Sequence, residues 1–257
     1  MTVLTQTIDA VTIIRLNRPD KFNSFNREMA LMMQDALDKA GDDATVRAIY
    51  ITGEGKAFCA GQDLSEAVDP NGPGIQKIVR EHYNPIIRKI RAIEKPVVCA
   101  VNGVAAGAGA NIALACDVVI AGSSASFLQA FSKIGLIPDS GGTFFLPRLI
   151  GFGKASSLMM LGDKVSATDA LQMGMIYKVV DDADLQTTAL TIAKQLAIMP
   201  TKAIGFTKKL LNASLSNTLE QQLEQEEILQ AAAGETFDYR EGVNAFIEKR
   251  KPNFTGQ

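Results

Sequence analysis

Residues 97–111 read VVCAVNGVAAGAGAN, and this stretch decides the fold. An apolar, β-branched run stops at an Asn-Gly pair, small residues follow, and a helical pattern begins after them. We therefore expect a buried strand, a tight glycine turn and the N-terminus of a helix. Gly107, Ala108 and Gly109 leave room for a ligand beside the backbone. Because the first N–H groups of a helix have no internal partner, this turn suits an oxygen that develops negative charge.

A second glycine turn follows another strand-like run. Residues 48–52 read AIYIT, and residues 56–64 read KAFCAGQDL, with a glycine at position 61. Either turn alone is typical of an ordinary loop. Together they resemble the two oxyanion-hole segments of the enoyl-CoA hydratase/isomerase (crotonase) family, and similarity to that family extends from residue 17 to the C-terminus.

The resemblance implies which groups contact the substrate. In that family one N–H group from each turn binds the thioester oxygen of an acyl-CoA, which assigns these roles here to Gln62 and Ala108. The residues that border the substrate or its CoA group would be Lys21, Phe22, Asn23, Ala60, Asp63, Leu64 and Phe131. Lys21 is a candidate phosphate contact, although a solvated surface lysine is the more common finding. CoA is part of the substrate, so neither a separate cofactor nor a metal ion is expected.

Composition excludes several classes of function. The chain has 257 residues, 47% of them hydrophobic, which is ample for a large core in one or two domains. Its net charge of −2 provides no basic surface for nucleic acid. There is no signal-peptide pattern and no apolar run of the roughly 20 residues that span a bilayer. Three cysteines lack paired spacing. We expect a cytoplasmic protein without nucleic-acid or membrane partners.

Strand-like and helical segments alternate over the first part of the chain, and the remainder is helical. The main predicted elements are strands over 3–8 and 11–16, a helix over 27–40 capped by Asn26, and a helix over 75–93 kinked at Pro85. The single histidine, His82, has no partner identifiable by spacing, so packing or a pocket wall is favoured over a general base.

The pattern of elements predicts an α/β fold followed by helices, and the resemblance adds the architecture. Residues 1–195 would form a crotonase-type spiral of ββα repeats that holds the active site. Residues 196–257 would form a C-terminal helical region that covers the site and assembles a homotrimer, or a dimer of trimers.

The acid–base residues argue against ordinary hydration. Hydratases of this family carry two glutamates, and the matching positions here hold Asn111 and Phe131, neither of which can exchange protons with water. Asp139 follows Phe131 by eight residues, where single-base isomerases and aromatic-CoA dehalogenases of the family carry an aspartate. Taken alone, an aspartate in the run PDSGGT is also typical of a helix N-cap.

Within the family, the similarity is strongest to isomerases that act on the ring epoxide of a phenylacetate-type CoA thioester. Three segments carry it, namely residues 101–109, 130–139 and 238–246. The expected product is a seven-membered oxepin, together with double-bond shifts. Asp139 would remove a proton from one carbon and return it to another. Nearby aromatic residues, Phe131, Phe144 and Phe145, should raise the pKa of this aspartate.

Other functions stay open from the sequence. They are a hydratase for an unusual substrate, another enoyl- or dienoyl-CoA isomerase, a dehalogenase with Asp139 as nucleophile, and a non-catalytic acyl-CoA binder. Dehalogenases of the family place a tryptophan at the position of Phe131, and this chain contains none. Incubation with an enoyl-CoA in deuterated water distinguishes the rest, because an isomerase moves protons, a hydratase forms a 3-hydroxyacyl product and a binder does neither.

Overall fold

Strands and helices alternate up to Val180, and only helices follow, as predicted. The structure, a computed structural model, describes residues 1–257. The strands are β1 (Val3–Ile8), β2 (Val11–Leu16), β3 (Ala48–Gly53), β4 (Ala57–Cys59), β5 (Val97–Val101), β6 (Val104–Ala106), β7 (Val118–Gly122), β8 (Ser126–Leu128), β9 (Lys164–Ser166) and β10 (Lys178–Val180). The helices are α1 (Arg27–Asp42), α2 (Leu64–Ala67), α3 (Gly74–Ile78), α4 (Asn84–Ala92), α5 (Ala108–Leu114), α6 (Gly142–Ile150), α7 (Phe152–Leu161), α8 (Ala167–Gln172), α9 (Leu185–Ala197), α10 (Thr201–Ala213), α11 (Leu219–Gly234) and α12 (Phe237–Ile247). None of them combines the length and the hydropathy that a membrane span requires.

The strands form two sheets. The larger sheet has the order β1-β2-β3-β5-β7-β10, and the smaller sheet has the order β4-β6-β8-β9. Strands β3, β5 and β7 are each followed by a short strand in the smaller sheet and then by helical chain. The neighbours among these strands pair in parallel, so their carboxyl ends meet at common edges. The spiral of ββα repeats is therefore confirmed.

The central strands of the larger sheet are buried on both faces, which explains their apolar character. On one face, Ile49 and Ile51 belong to a core of 42 buried residues that also contains Met33 and Leu37 of α1. On the other face, α9 packs on a second core of 11 buried residues, which includes Tyr50. This two-sided burial keeps β3 and β5 rigid, and the turns that follow them are fixed as a result.

Two local predictions are confirmed in the structure. The Asn26 side chain accepts a hydrogen bond from the N–H of Met29 at 3.0 Å, so it caps α1. The helix predicted over 75–93 is interrupted by a π-type turn, Val79–Tyr83, immediately before Pro85. Proline has no N–H to donate to the preceding turn, and the chain widens there instead of continuing as a regular helix.

The helices after Val180 are tied to the rest of the chain. Helix α9 contains the predicted boundary between residues 195 and 196 and packs on the larger sheet. In α10, the Lys208 ammonium donates to the carbonyl oxygen of Ile90 at 2.7 Å. The Arg47 guanidinium donates to the carbonyl oxygen of Phe254 at 2.7 Å. The division into two domains stays a prediction.

Candidate active site

The two glycine turns lie side by side, because β4 and β6 pair in parallel and each turn follows one of these strands. A Cβ atom added to Gly61 would lie 3.0 Å from the carbonyl oxygen of Ala106 and 3.6 Å from the nitrogen of Ala108. Gly61 also has a φ of +93°, a conformation that side chains disfavour. The structure therefore brings the Gln62 and Ala108 segments together.

The N–H groups of Gln62 and Ala108 are not used by the loops around them. The two residues on either side of Gln62 are hydrogen-bonded to Phe25. The Phe25 N–H donates to the Gly61 carbonyl at 2.7 Å, and the Asp63 N–H donates to the Phe25 carbonyl at 2.8 Å. Ala108 is the first residue of α5. Neither N–H donates in any bond of the turns, loops and caps. Two adjacent free donors are what an oxyanion hole requires.

Aromatic rings lie close to the second turn and to the start of α6. Phe131 is buried, and a Cβ atom added to Gly107 would lie 3.6 Å from its ring. Phe145 is half-buried and packs against Gly141 at the start of α6. Phe144 was predicted to contribute to the apolar environment of Asp139. Instead, it is 41% exposed, and its ring stacks with the Arg148 guanidinium at 3.8 Å. An apolar ring thus fills the position of one hydratase glutamate.

The position of the other hydratase glutamate holds a hydrogen-bonded amide. Asn111 lies in α5 and is 1% exposed. Its Nδ2 atom donates to the main-chain carbonyl of Asp139 at 2.8 Å, and its Oδ1 atom accepts from Gln129 Nε2 at 2.7 Å. Both polar atoms are therefore used in linking α5 to the loop that carries Asp139.

Asp139 lies half-buried in the loop before α6. The Ser140 hydroxyl donates to its Oδ1 atom at 2.8 Å. Burial raises the pKa of the Asp139 carboxyl above its ordinary value, while the hydrogen bond from Ser140 opposes the rise. The pKa is shifted in the predicted direction, and the cause of the shift is burial. The N-cap of α6 is Gly141 and receives no side-chain bond, so Asp139 does not cap the helix.

Tyr83 is part of the site and was not identified from the sequence. Its hydroxyl donates to Gln62 Oε1 at 2.8 Å, and Gln62 Nε2 donates to Glu66 Oε2 at 2.8 Å. Burial raises the pKa of Tyr83 well above its ordinary value, and the negative charge of Asp139 adds to the rise. The phenol is therefore neutral and lies near both the first turn and the aspartate. No sequence pattern links Tyr83 to Gln62, because a π-type turn and a loop separate them.

His82 is buried in the same π-type turn. Its Nε2 atom accepts from the Arg27 guanidinium at 3.3 Å, and its Nδ1 atom lies 4.0 Å from Glu66 Oε2. Burial lowers the pKa of His82, so the ring is neutral near pH 7. These contacts match the predicted packing role.

The predicted CoA-binding residues separate into exposed and internal groups. Lys21, Phe22, Ala60 and Leu64 are exposed at neighbouring loops, and the Ala60 N–H donates to the Phe22 carbonyl at 2.9 Å. This arrangement leaves their side chains accessible from solvent. Their contact with CoA stays a prediction.

Asn23 and Asp63 use their side chains within the protein. Asn23 is fully buried, and its Nδ2 atom donates to the carbonyls of Glu54 and Ala57, both at 2.8 Å. Asp63 accepts from the Arg18 guanidinium at 2.9 Å and caps α2. The Asn23 amide thus holds its loop, and contact of this residue with CoA stays a prediction. Asp63 joins the loop to the first glycine turn.

The chain is similar to known proteins over nearly its whole length. The sequence pattern of the family described as Enoyl-CoA hydratase/isomerase matches residues 6–257. The chain is 48% identical to 1,2-epoxyphenylacetyl-CoA isomerase of Escherichia coli (strain K12), over 99% of this chain and 98% of that protein. It is 38% identical to trans-2-decenoyl-(acyl-carrier-protein) isomerase of Streptococcus mutans, over 97% of this chain and 96% of that protein.

The fold is also similar to that of solved structures. The crystal structure of an enoyl-CoA hydratase from Polaromonas sp. JS666 superposes with a TM-score of 0.91 at 35% identity, covering 98% of this chain and 99% of that chain. The match of the family pattern, the level of identity and the shared architecture lead to one conclusion. The chain belongs to the enoyl-CoA hydratase/isomerase family.

Proposed function

We propose that the protein is an acyl-CoA isomerase with Asp139 as its single acid–base residue. The observation that carries this proposal is the contrast between Asp139 and the two hydratase positions. Asp139 is a half-buried carboxyl whose pKa is raised by burial. Asn111 is committed to two hydrogen bonds, and Phe131 packs its ring against Gly107. A pair of carboxylates that could orient and activate water is therefore lacking at those positions.

The reaction that fits one carboxylate is a proton transfer within the substrate. The thioester oxygen would bind to the N–H groups of Gln62 and Ala108, which stabilise the enolate when a proton leaves the neighbouring carbon. One such donor contributes about 3 kcal/mol in the transition state. Asp139 takes the proton from one carbon and returns it to another, so the double bond moves with no net gain or loss of protons, and a proton held on the carboxyl can exchange with solvent before it is returned. This reaction requires no cofactor, because CoA is already part of the substrate.

The substrate class that we propose is an aromatic acyl-CoA. The Escherichia coli relative is named for the isomerisation of 1,2-epoxyphenylacetyl-CoA, and the Streptococcus mutans relative is named as an isomerase of trans-2-decenoyl thioesters. The buried Phe131 ring beside the second turn provides an apolar surface for an aromatic ring. We infer that the ring epoxide of phenylacetyl-CoA is converted to the oxepin thioester, in phenylacetate catabolism, with double-bond shifts as a second activity.

The exposed residues of the neighbouring loops complete the proposed substrate site. Lys21, Phe22, Ala60 and Leu64 would border the CoA group, with Lys21 as a phosphate contact. An ammonium group on an exposed loop can approach a phosphate without displacing protein contacts. Asp63 would act indirectly, because its side chain is already bonded to Arg18.

The C-terminal helices support self-association. Helix α11 has no buried residue, although it carries Leu219, Leu223 and Ile228 in exposed positions. Phe246 of α12 is 85% exposed. Monomeric proteins seldom expose so many apolar side chains along neighbouring helices, and homo-oligomers bury such surfaces. We propose a homotrimer, or a dimer of trimers.

Product analysis in deuterated water tests the proposed activity. The protein is incubated with a 3-enoyl-CoA, and the products are followed by mass spectrometry and by NMR. An isomerase forms the 2-enoyl-CoA and incorporates deuterium at carbons next to the thioester or the double bond. Formation of a 3-hydroxyacyl-CoA as the main product would assign a hydratase instead. Retention of unlabelled substrate would leave only a binding function.

A further inference from the structure

The loop that carries Asp139 combines exposed residues with one buried and strained residue. Residues 132–137 are exposed, but Ser140 is 1% exposed. Ser140 also has a φ of +52°, in the left-handed region that residues with a Cβ atom seldom adopt. Such a conformation persists only where the surrounding structure enforces it, and it concentrates at functional sites.

Ser140 contacts the reactive carboxyl directly. Its hydroxyl donates to Asp139 Oδ1 at 2.8 Å. A carboxylate oxygen that accepts this bond is a poorer proton acceptor, which leaves Oδ2 as the oxygen available for a substrate proton.

Asn111 holds the main chain of the same residue. Its Nδ2 atom donates to the Asp139 carbonyl at 2.8 Å, and the N–H of Gly142 donates to the same oxygen at 2.8 Å. A Cβ atom on Gly142 would lie only 2.4 Å from Asn111 Nδ2, so this close approach requires glycine. The Gln129 amide fixes the orientation of Asn111 by donating to its Oδ1 atom at 2.7 Å. The loop is thus anchored to α5 at the residue that performs the chemistry.

We propose that Asn111 and Ser140 are positioning residues for Asp139, in which Asn111 fixes the aspartate main chain and Ser140 holds Oδ1 so that Oδ2 receives the substrate proton. The proposal rests on the isomerase function proposed above. Asn111 occupies the position of a hydratase glutamate, and its proposed role is to orient the Asp139 carboxyl. This carboxyl takes the place of the glutamate pair in the proposed reaction.

The Ser140 hydroxyl is tested by the substitutions Ser140→Ala and Ser140→Gly. Both remove the hydroxyl, but glycine also relieves the strain of a positive φ. Because the hydroxyl stabilises the ionised carboxyl, the acidic limb of the kcat profile should move to higher pH by about one unit in both variants. Tyr83 is a titratable group that senses Asp139, and its pKa lies far above this range. An unmoved acidic limb in both variants would overturn the role of Ser140.

The Asn111 amide is tested by Asn111→Leu and Asn111→Ala, both of which remove the donor to the Asp139 carbonyl without adding a charge. We expect kcat to fall by about tenfold or more, with KM for the acyl-CoA changed by less than about threefold. If Asn111 had a purely structural role, its variants would be less thermally stable, but the kcat of the folded protein would be unchanged. The concentration of folded active sites is therefore measured by titration with a tight-binding product analogue, and kcat is calculated from that concentration. Parent kcat in either variant would overturn the role of Asn111.

The control variant Asp139→Asn separates this proposal from the proposed function. If Asp139→Asn retains the isomerase activity, the proposed function fails and the positioning roles fail with it. If Asp139→Asn is inactive while the Ser140 and Asn111 variants keep the parent kcat and pH profile, the function stands and only the positioning proposal is overturned. We expect the Asp139 variant to be inactive, the Ser140 variants to have a shifted pH profile and the Asn111 variants to have a lowered kcat.

Discussion

Burial is the main influence on the Asp139 carboxyl, and the Ser140 hydroxyl opposes it in part. The balance matters for the proposed reaction, in which one group both takes and returns the proton. An aspartate with an ordinary pKa is fully ionised at neutral pH but is a weak base toward a carbon acid. Raising its pKa makes it a stronger base, and the retained hydrogen bond keeps the ionised form accessible.

The raised pKa of Asp139 predicts an effect on stability. The folded state favours the neutral carboxyl, so the stabilisation is complete below the ordinary pKa of an aspartate, about 3.9, and is lost as pH rises through the folded-state pKa. Asp139→Asn stays neutral throughout. We expect its melting temperature to exceed that of the parent by a few degrees at pH 7 and to converge with it toward pH 4, measured by differential scanning calorimetry. A variant less stable at pH 7 would contradict this account.

The Tyr83 hydroxyl predicts a second effect at the residue scale. Tyr83→Phe removes the donor to Gln62 Oε1 and leaves that half-buried acceptor without a protein partner. We expect the free energy of unfolding to decrease by about 1–2 kcal/mol, measured by urea denaturation. Tyr177→Phe is a matched control, because Tyr177 is exposed and its hydroxyl makes no hydrogen bond in the protein. Equal stability of Tyr83→Phe and Tyr177→Phe would contradict the proposed contribution of the hydrogen bond from Tyr83 to Gln62.

At the scale of elements, the approach of α5 to β4 sets the position of the two turns. A Cβ atom on Gly109 would lie 2.4 Å from the carbonyl oxygen of Cys59, whereas Gly153 of α7 has open space around it. Neither glycine has a positive φ. Gly109→Ala should therefore lower the free energy of unfolding by about 1–3 kcal/mol and reduce activity. Gly153→Ala should be neutral or stabilising by up to about 1 kcal/mol, by the same chemical denaturation assay.

The reverse order of stability for these two variants would show that α5 and β4 can separate without cost. Retained activity in Gly109→Ala would show that the spacing of the turns is not critical. Either outcome would contradict the geometry on which the proposed oxyanion hole depends.

Several elements could be predicted from local sequence, and others depend on tertiary structure. Strands β1 and β2 agree with the predicted bounds because they are short β-branched runs bounded by turns. The three-residue strand β6 was not predicted, because it is too short for a periodic pattern and follows an Asn-Gly pair. The kink at Pro85 was predicted, but not the π-type turn that produces it.

In the candidate site too, some features could be predicted from local sequence and others depend on tertiary structure. The Gln62 and Ala108 segments and Asp139 were found through motifs, because each lies in a contiguous and recognisable run. Two hydrogen bonds join distant parts of the chain, one from Tyr83 to Gln62 and one from Asn111 to the Asp139 carbonyl. Neither spacing nor periodicity in the sequence predicts them. Asn23 was assigned to CoA by its motif, yet its amide holds the loop.

At the scale of the whole molecule, the exposed apolar side chains of α11 predict self-association. Leu223→Glu places a charge among them and should shift the protein toward smaller species in sedimentation velocity. Gln195→Glu, an exposed position on α9, adds the same charge elsewhere and should leave the sedimentation coefficient unchanged. A parent protein that sediments as a monomer of 27.5 kDa would contradict the proposed trimer.

The central claim is that one aspartate moves a proton on a thioester held by two main-chain donors. The most direct measurement is deuterium incorporation into an enoyl-CoA by the parent and by Asp139→Asn, with binding of the acyl-CoA followed by calorimetry. The account predicts that the variant binds with a dissociation constant within about threefold of the parent and loses exchange and isomerisation by about a thousandfold or more. Exchange at the parent rate in Asp139→Asn would contradict it.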